Sequence, residues 1–270
     1  MRIRIGYELV FDFPAPTPML LMLHVRPEET PRLHHPEWIE FDPPPATPMH
    51  TYLDGFGNRV GRIVAPAGKL KLRYDNVVED SGLPEDRIDG ATLHPVPDLP
   101  DECMPFLLAS RYCEVDTLSQ MAWDLFGKTP ATWERVQAVM DWAHNYIEFG
   151  YEHARSTKTA ADVCRERKGV CRDFQHLAIT MLRALNIPAR YATGYLGDIG
   201  VPPNPSPMDF SAWFEVYLGR RWYTLDGRHN KPRIGRILQA RGRDAVDVAL
   251  TTSFGPTRLE KFLVWTDEVK

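Results

Sequence analysis

The run Lys168-Gly169-Val170-Cys171-Arg172-Asp173-Phe174-Gln175-His176-Leu177 carries the strongest chemical signal in the chain. A glycine turn delivers a cysteine to the first turn of a helix. There a thiol meets unpaired backbone N–H groups and the positive end of the helix dipole, both of which favour negative charge. That placement predicts a lowered thiol pKa and a nucleophilic thiolate near neutral pH. The same N–H groups can stabilise an acyl oxyanion. The plainer alternative is a small buried hydrophobe, the ordinary fate of a free cysteine. His176 lies about 140° around the helix from Cys171, so it is expected on the outer side, away from the thiol. Asp173 reads as a partner for an arginine or as a cap for the helix start.

Few other residues compete for chemistry. Cys103, Cys113 and Cys164 show no CxxC or zinc-ligand spacing, and neither HExxH nor a glycine-rich phosphate loop occurs. The adjacent His34 and His35 point apart and read as surface residues. No metal and no cofactor is expected.

The elements that must position Cys171 follow from periodicity and caps. Leu177, Ala178, Met181, Leu182 and Leu185 repeat at helical spacing, so one face of this helix meets a core, with Cys171 at its edge. Its end is expected near Asn186-Ile187-Pro188. Upstream, Asp116 is placed to cap a helix that ends at Gly127. Thr129-Pro130 reads as the start of a second helix, with Trp133, Val136, Val139, Met140, Ala143 and Ile147 on its core face. Thr159 and Asp162 form a capping-box pattern before a short helix through Cys164. Downstream, Ala189 to Leu196 reads as a strand and 201–207 as a proline-rich loop.

Phe210–Leu218 and Arg221–Asp226 then form a hairpin about Gly219-Arg220. A two-residue loop sets Trp213 opposite Asp226 and Ser211 opposite Arg228, so Ser211, Trp213 and Asp226 share one sheet face. Strands over Asp247 to Phe254 and Leu259 to Asp267 close the chain.

At 270 residues two domains are the default expectation. Residues 1–104 hold short alternating runs broken by Pro-rich and Gly-rich turns, the pattern of a small all-β sandwich or barrel. Residues 105–270 carry the helices and the hairpin. A net charge of −4 without a cationic run argues against nucleic-acid binding. With no 18-residue apolar stretch and no signal-peptide pattern, no membrane association is expected. Four cysteines do not make a disulfide framework, and a reducing cytoplasm is the expected location.

Several segments together resemble the transglutaminase-like cysteine enzymes: Gly169–Phe174 with His176-Leu177, Arg183–Tyr191 with Gly194-Tyr195, Ala212–Tyr217, and Trp222–Asp226. The match extends from about residue 110 to 254. It implies an α+β fold, with a papain-like, transglutaminase-like core of helices on an antiparallel sheet at 105–270. The small all-β domain at 1–104 is similar to one that precedes this core in many bacterial members. It also implies a peptidase or amidase acting through a thioester on Cys171. Substrates would be a peptide or a small amide or ester, and water or an amine would resolve the intermediate. In such enzymes a histidine at the start of the next strand takes the thiol proton and an aspartate orients it. Asp226 matches the aspartate. The histidine does not match, because the family's His-Ala-Trp reads here as Ser211-Ala212-Trp213.

Three readings follow from that departure. Another histidine substitutes, and His229, just past Asp226, is the best placed, although strict alternation turns it away from Ser211. Or the helix dipole and a nearby charged group support the thiolate with weaker catalysis. Or the site is catalytically degenerate and binds a ligand without cleaving it. Asp209, two residues before Ser211, shares its strand face and is a candidate substrate contact, against the plainer reading of a loop-edge carboxylate. Trp213 is a second substrate-binding candidate, placed to shield the site from water. Oligomeric state is not legible.

Overall fold

The computed structural model describes residues 1–87, 91–203 and 207–269. The proline-rich loop at 201–207 is therefore covered only at its ends. Six strands come first: β1 (Arg2–Phe13), β2 (Thr17–Leu21), β3 (Glu40–Asp42), β4 (His50–Leu53), β5 (Arg59–Ala65) and β6 (Gly68–Glu79). The helical region follows, with α1 (Val115–Phe126), α2 (Trp133–Tyr146), the short β7 (Glu148–Phe149), α3 (Ala160–Glu166), the short β8 (Lys168–Gly169) and α4 (Cys171–Ala184). The chain then forms β9 (Ala189–Tyr195), β10 (Ser211–Leu218), β11 (Arg221–Leu225), β12 (Ile237–Gly242), β13 (Thr251–Ser253) and β14 (Arg258–Val269). The fold is α+β, as expected.

Alternation builds the N-terminal sandwich. Along β1, Ile3, Ile5, Tyr7, Leu9, Phe11 and Phe13 face inward, and β6 answers with Leu70, Leu72 and Tyr74. The two sheets run β14-β1-β6-β3 and β13-β2-β5-β4. Both therefore recruit strands from the far end of the chain, β14 onto β1 and β13 onto β2. A division at 104/105 assigns these strands to the core, whereas their hydrogen bonds place them in the sandwich. An outer β1 edge would leave a row of unpaired backbone groups, and β14 covers it along its length.

The core sheet, β11-β10-β9-β12, packs against α4, which also meets α1, α2 and α3. The sandwich is not a detachable unit, because Tyr195, Phe210 and Ile237 of the core complete its hydrophobic interior. Asn58 also bridges to both the N–H and the carbonyl of Arg241 at 2.8 Å.

Helix starts differ from expectation in two places. Glu114, not Asp116, is the N-cap of α1. Helix α2 begins after Thr132, not Thr129, because Ala131 and Trp133 make backbone hydrogen bonds to Leu93 and Ala91, holding this segment extended. The Thr159–Asp162 capping box forms as read and contributes about 1 kcal/mol.

Candidate active site

Cys171 is delivered by local geometry that the sequence specifies closely. The Asp173 carboxylate turns back to accept the Val170 N–H at 3.0 Å and pairs with Arg172 at 3.0 Å. A Cβ on residue 169 would lie only 2.6 Å from the Asp173 Cβ, so glycine is required there. Both expected roles of Asp173, arginine partner and helix cap, are filled by one side chain. This fixes α4 to begin at Cys171: the Asp173 and Phe174 N–H groups donate to the Val170 carbonyl, and the Cys171 and Arg172 N–H groups precede the first intrahelical acceptor.

The Cys171 side chain is half-buried and lines a small cavity of about 80 Å³ together with Asp209, Ser211, Arg228 and His229. The His229 side chain comes from the turn after β11. Strict alternation along β11 would carry it elsewhere, but the strand ends at Leu225 and the chain turns at Asp226-Gly227. His229 Nδ1 lies 2.8 Å from Asp226 Oδ2, and the His229 N–H also donates to Asp226 Oδ1 at 3.2 Å. With Nδ1 as donor, Nε2 is left without a hydrogen-bond partner among the described residues.

Asp226 is buried and saturated. It accepts from Gln175 Nε2 at 3.0 Å and Arg236 Nη2 at 2.8 Å, and from the Arg228 N–H at 2.9 Å. Burial by itself would raise this carboxyl. The charges and hydrogen bonds of Arg236 and His229 overcome it and hold Asp226 far below the ordinary carboxylate range. Gln175 is locked in turn, its Oε1 accepting the Gly227 N–H at 3.0 Å.

The thiol itself departs from expectation. Burial pushes Cys171 up to about 11, and the negative charges of Asp209 and Asp226 act in the same direction. Arg228 and the Ala212 N–H oppose them without prevailing. The resting group is therefore a thiol, because desolvation outweighs what the helix start and one arginine supply. Asp209 is raised by desolvation as well, although its side chain is open to solvent at the cleft mouth.

The predicted residues thus separate. Cys171, Asp209, Ser211 and His229 share the cavity, with Asp226 directly behind His229. Trp213 does not line it: the ring lies behind the sheet with Ala192 and Leu238, under the Arg236 guanidinium at 4.9 Å. Ala212, Phe214 and Val216 of β10 join the core around α4, and Trp213 lies on the other face. Ser211 shares its parity but sits at the first residue of the strand, where it reaches the cavity, so the shared face places Ser211 at the site while Trp213 supports Arg236. His176 also differs. It is fully buried, stacked on Tyr112 at 5.0 Å and beside Tyr191 at 5.1 Å, because α4 is surrounded and has no outer side.

Sequence reasoning passed over Gln175, Arg228 and Arg236. Gln175 lies one helical turn beyond Cys171 on the same side of α4, a spacing that could have flagged it. Arg236 had no such signal. Among the described residues no group of three His, Cys, Asp or Glu side chains could hold a metal ion, and no helix is long and apolar enough to cross a membrane.

Comparison with known proteins finds relatives of this chain. The profile of the transglutaminase-like superfamily matches residues 120–227. An uncharacterized protein of Mycobacterium tuberculosis is 30% identical over 234 residues, covering 78% of this chain and 73% of that protein. A crystal structure from Cytophaga hutchinsonii, described there as a candidate cysteine protease, is 32% identical with a TM-score of 0.85 over 100% of this chain and 91% of that one. The kyphoscoliosis peptidase of Mus musculus is 28% identical over 124 residues, 44% of this chain and 19% of that protein.

Proposed function

Because this chain belongs to the transglutaminase-like superfamily, we propose that it is a cysteine acyl-transfer enzyme of the peptidase or amidase kind, in which His229 takes the place vacated at Ser211. One observation carries the reading: an imidazole held through Nδ1 by a buried carboxylate at 2.8 Å opens onto the cavity that the half-buried thiol lines. The roles then follow from chemistry. The Cys171 sulfur forms a bond to the substrate carbonyl carbon while its proton passes to His229 Nε2. The Cys171 and Arg172 N–H groups at the start of α4 supply donors for the oxyanion. Collapse breaks the carbon–nitrogen bond, and the imidazolium returns its proton to the leaving amine. Water, deprotonated by His229, then attacks the thioester and releases the acid and the thiol. A thiol raised to about 11 suits this route, since the proton leaves during attack and not before it.

The test is acylation by p-nitrophenyl acetate, read by mass spectrometry at the peptide containing Cys171, with Cys103, Cys113 and Cys164 as internal controls. Cys171 should acylate faster than the other three in the wild type and lose that advantage in His229→Ala. A Cys171 no more reactive than Cys164 would sink the reading and leave a binding site built on the same scaffold.

A further inference from the structure

The small cavity at Cys171 is the waist of a longer cleft. On one side it shares Asp198, Arg228, His229 and Arg233 with a cavity of about 370 Å³. On the other it shares Asp209, Phe210 and Ser211 with a second cavity of about 370 Å³, which Cys171 itself also lines. A reacting centre at the middle of a through-going groove leaves room for chain on both sides of the bond it attacks. A small amide would fill only the waist.

The two arms differ in charge. In the arm lined by Tyr191, Val248 and Leu250, the cations are already neutralised. Arg155 pairs with Asp162 and Glu166, and Arg172 pairs with Asp173. In the His229 arm two of the three are not. Arg228 lies over the Phe149 ring at 3.7 Å and makes no ion pair among the described residues. Lys231 is exposed and makes none either. Arg233 is buried at 5% exposure, donates to the Gly197 carbonyl at 2.9 Å and sits 3.7 Å from Asp198. Its Nε is buried with no hydrogen-bond partner. Arg228 and Lys231, without ion pairs among the described residues, beside an unsatisfied Arg233 Nε–H, leave this arm with cationic groups in excess.

We infer that the cleft takes an extended peptide, with an acidic side chain in the arm formed by Arg228, Lys231 and Arg233 and an apolar one in the arm beyond Ser211. This builds on the acyl-transfer reading for its reacting centre, yet the preference itself is a property of binding. A carboxylate entering the His229 arm gains charge-assisted hydrogen bonds that no group of the protein now fills, and the same field favours acidic over basic chains on approach.

The experiment measures fluorescence anisotropy of three labelled peptides, acidic, neutral and basic at the position flanking the central bond, on full-length Cys171→Ala protein. The acidic peptide should bind about tenfold tighter than the neutral one, as expected of several partly exposed ion pairs. That advantage should shrink as salt rises from about 50 to about 300 mM. Lys231→Glu, an exposed change that leaves the core intact, should reverse the order of the acidic and basic peptides. Equal affinities, or a wild-type preference for the basic peptide, would overturn the inference. The acylation assay separates the two claims. A Cys171 that acylates while peptides bind indifferently removes only the substrate class, and an inert Cys171 with a clear acidic preference removes only the catalytic reading.

Discussion

Two histidines, one on helix α4 and one beside it, have opposite fates. His176 lies on the same helix as Cys171 and is wholly enclosed between Tyr112 and Tyr191, its Nε2 accepting the Ala245 N–H at 3.2 Å. Burial, with help from Arg172 and Arg183, holds its pKa well below the ordinary imidazole value. His229 comes from the turn after β11, has one nitrogen fixed by Asp226 and opens its other side to the cavity. Proximity in sequence to Cys171 therefore does not select the imidazole that reaches the cavity. A general base needs one nitrogen oriented and the other reachable by substrate, and of the two only His229 provides that.

The comparison can be broken by substitution, beginning with the largest expected effect. His229→Ala should lower the acylation rate by about 10²–10⁴-fold, while His176→Phe should leave it within a few-fold. If His176→Phe instead abolished acylation in protein that still folds, the assignment would be inverted. Asp226→Asn should destabilise the fold by about 3–5 kcal/mol in urea unfolding, since Arg236 would lose its buried carboxylate and keep only the partly exposed Glu85. In the wild type, the depressed Asp226 pKa means that this stability is present above the ordinary carboxylate range and lost as pH falls below it. A neutral-pH stability unchanged in Asp226→Asn would mean that Glu85 alone suffices for Arg236.

The smallest effect belongs to His176. His176→Phe should cost about 1–3 kcal/mol at neutral pH by orphaning the Ala245 N–H. Because the lowered His176 pKa makes folding oppose protonation, wild-type stability should fall as pH drops through and below the ordinary imidazole value. The variant should show a flatter acid limb, measured as unfolding midpoints across pH. An identical limb in the two proteins would place the acid sensitivity elsewhere.

Much of the local architecture was legible. The hairpin pairs Phe214 with Leu225 and Leu218 with Arg221, the register that a two-residue Gly219-Arg220 loop dictates. The Thr159–Asp162 box and the glycine before Cys171 were equally readable, because each is fixed by contacts within a few residues. The Thr129-Pro130 helix start failed for the complementary reason, since a distant segment at residues 91–93 competes for the same backbone.

The candidate site divides along the same line. From the sequence alone came the cysteine at a helix start, the aspartate that ends the hairpin, the serine at the expected histidine position and His229 as the best placed substitute in one of three readings. These rest on local spacing and turn chemistry. Tertiary structure decided that Arg236 and Gln175 would clamp Asp226, that Trp213 would lie behind the sheet under Arg236, and that His176 would be sealed in. It also decided that the Cys171 thiol would be raised, because desolvation and the charges around a site depend on which chain segments surround it, and that is settled only when sandwich, sheet and helix close together.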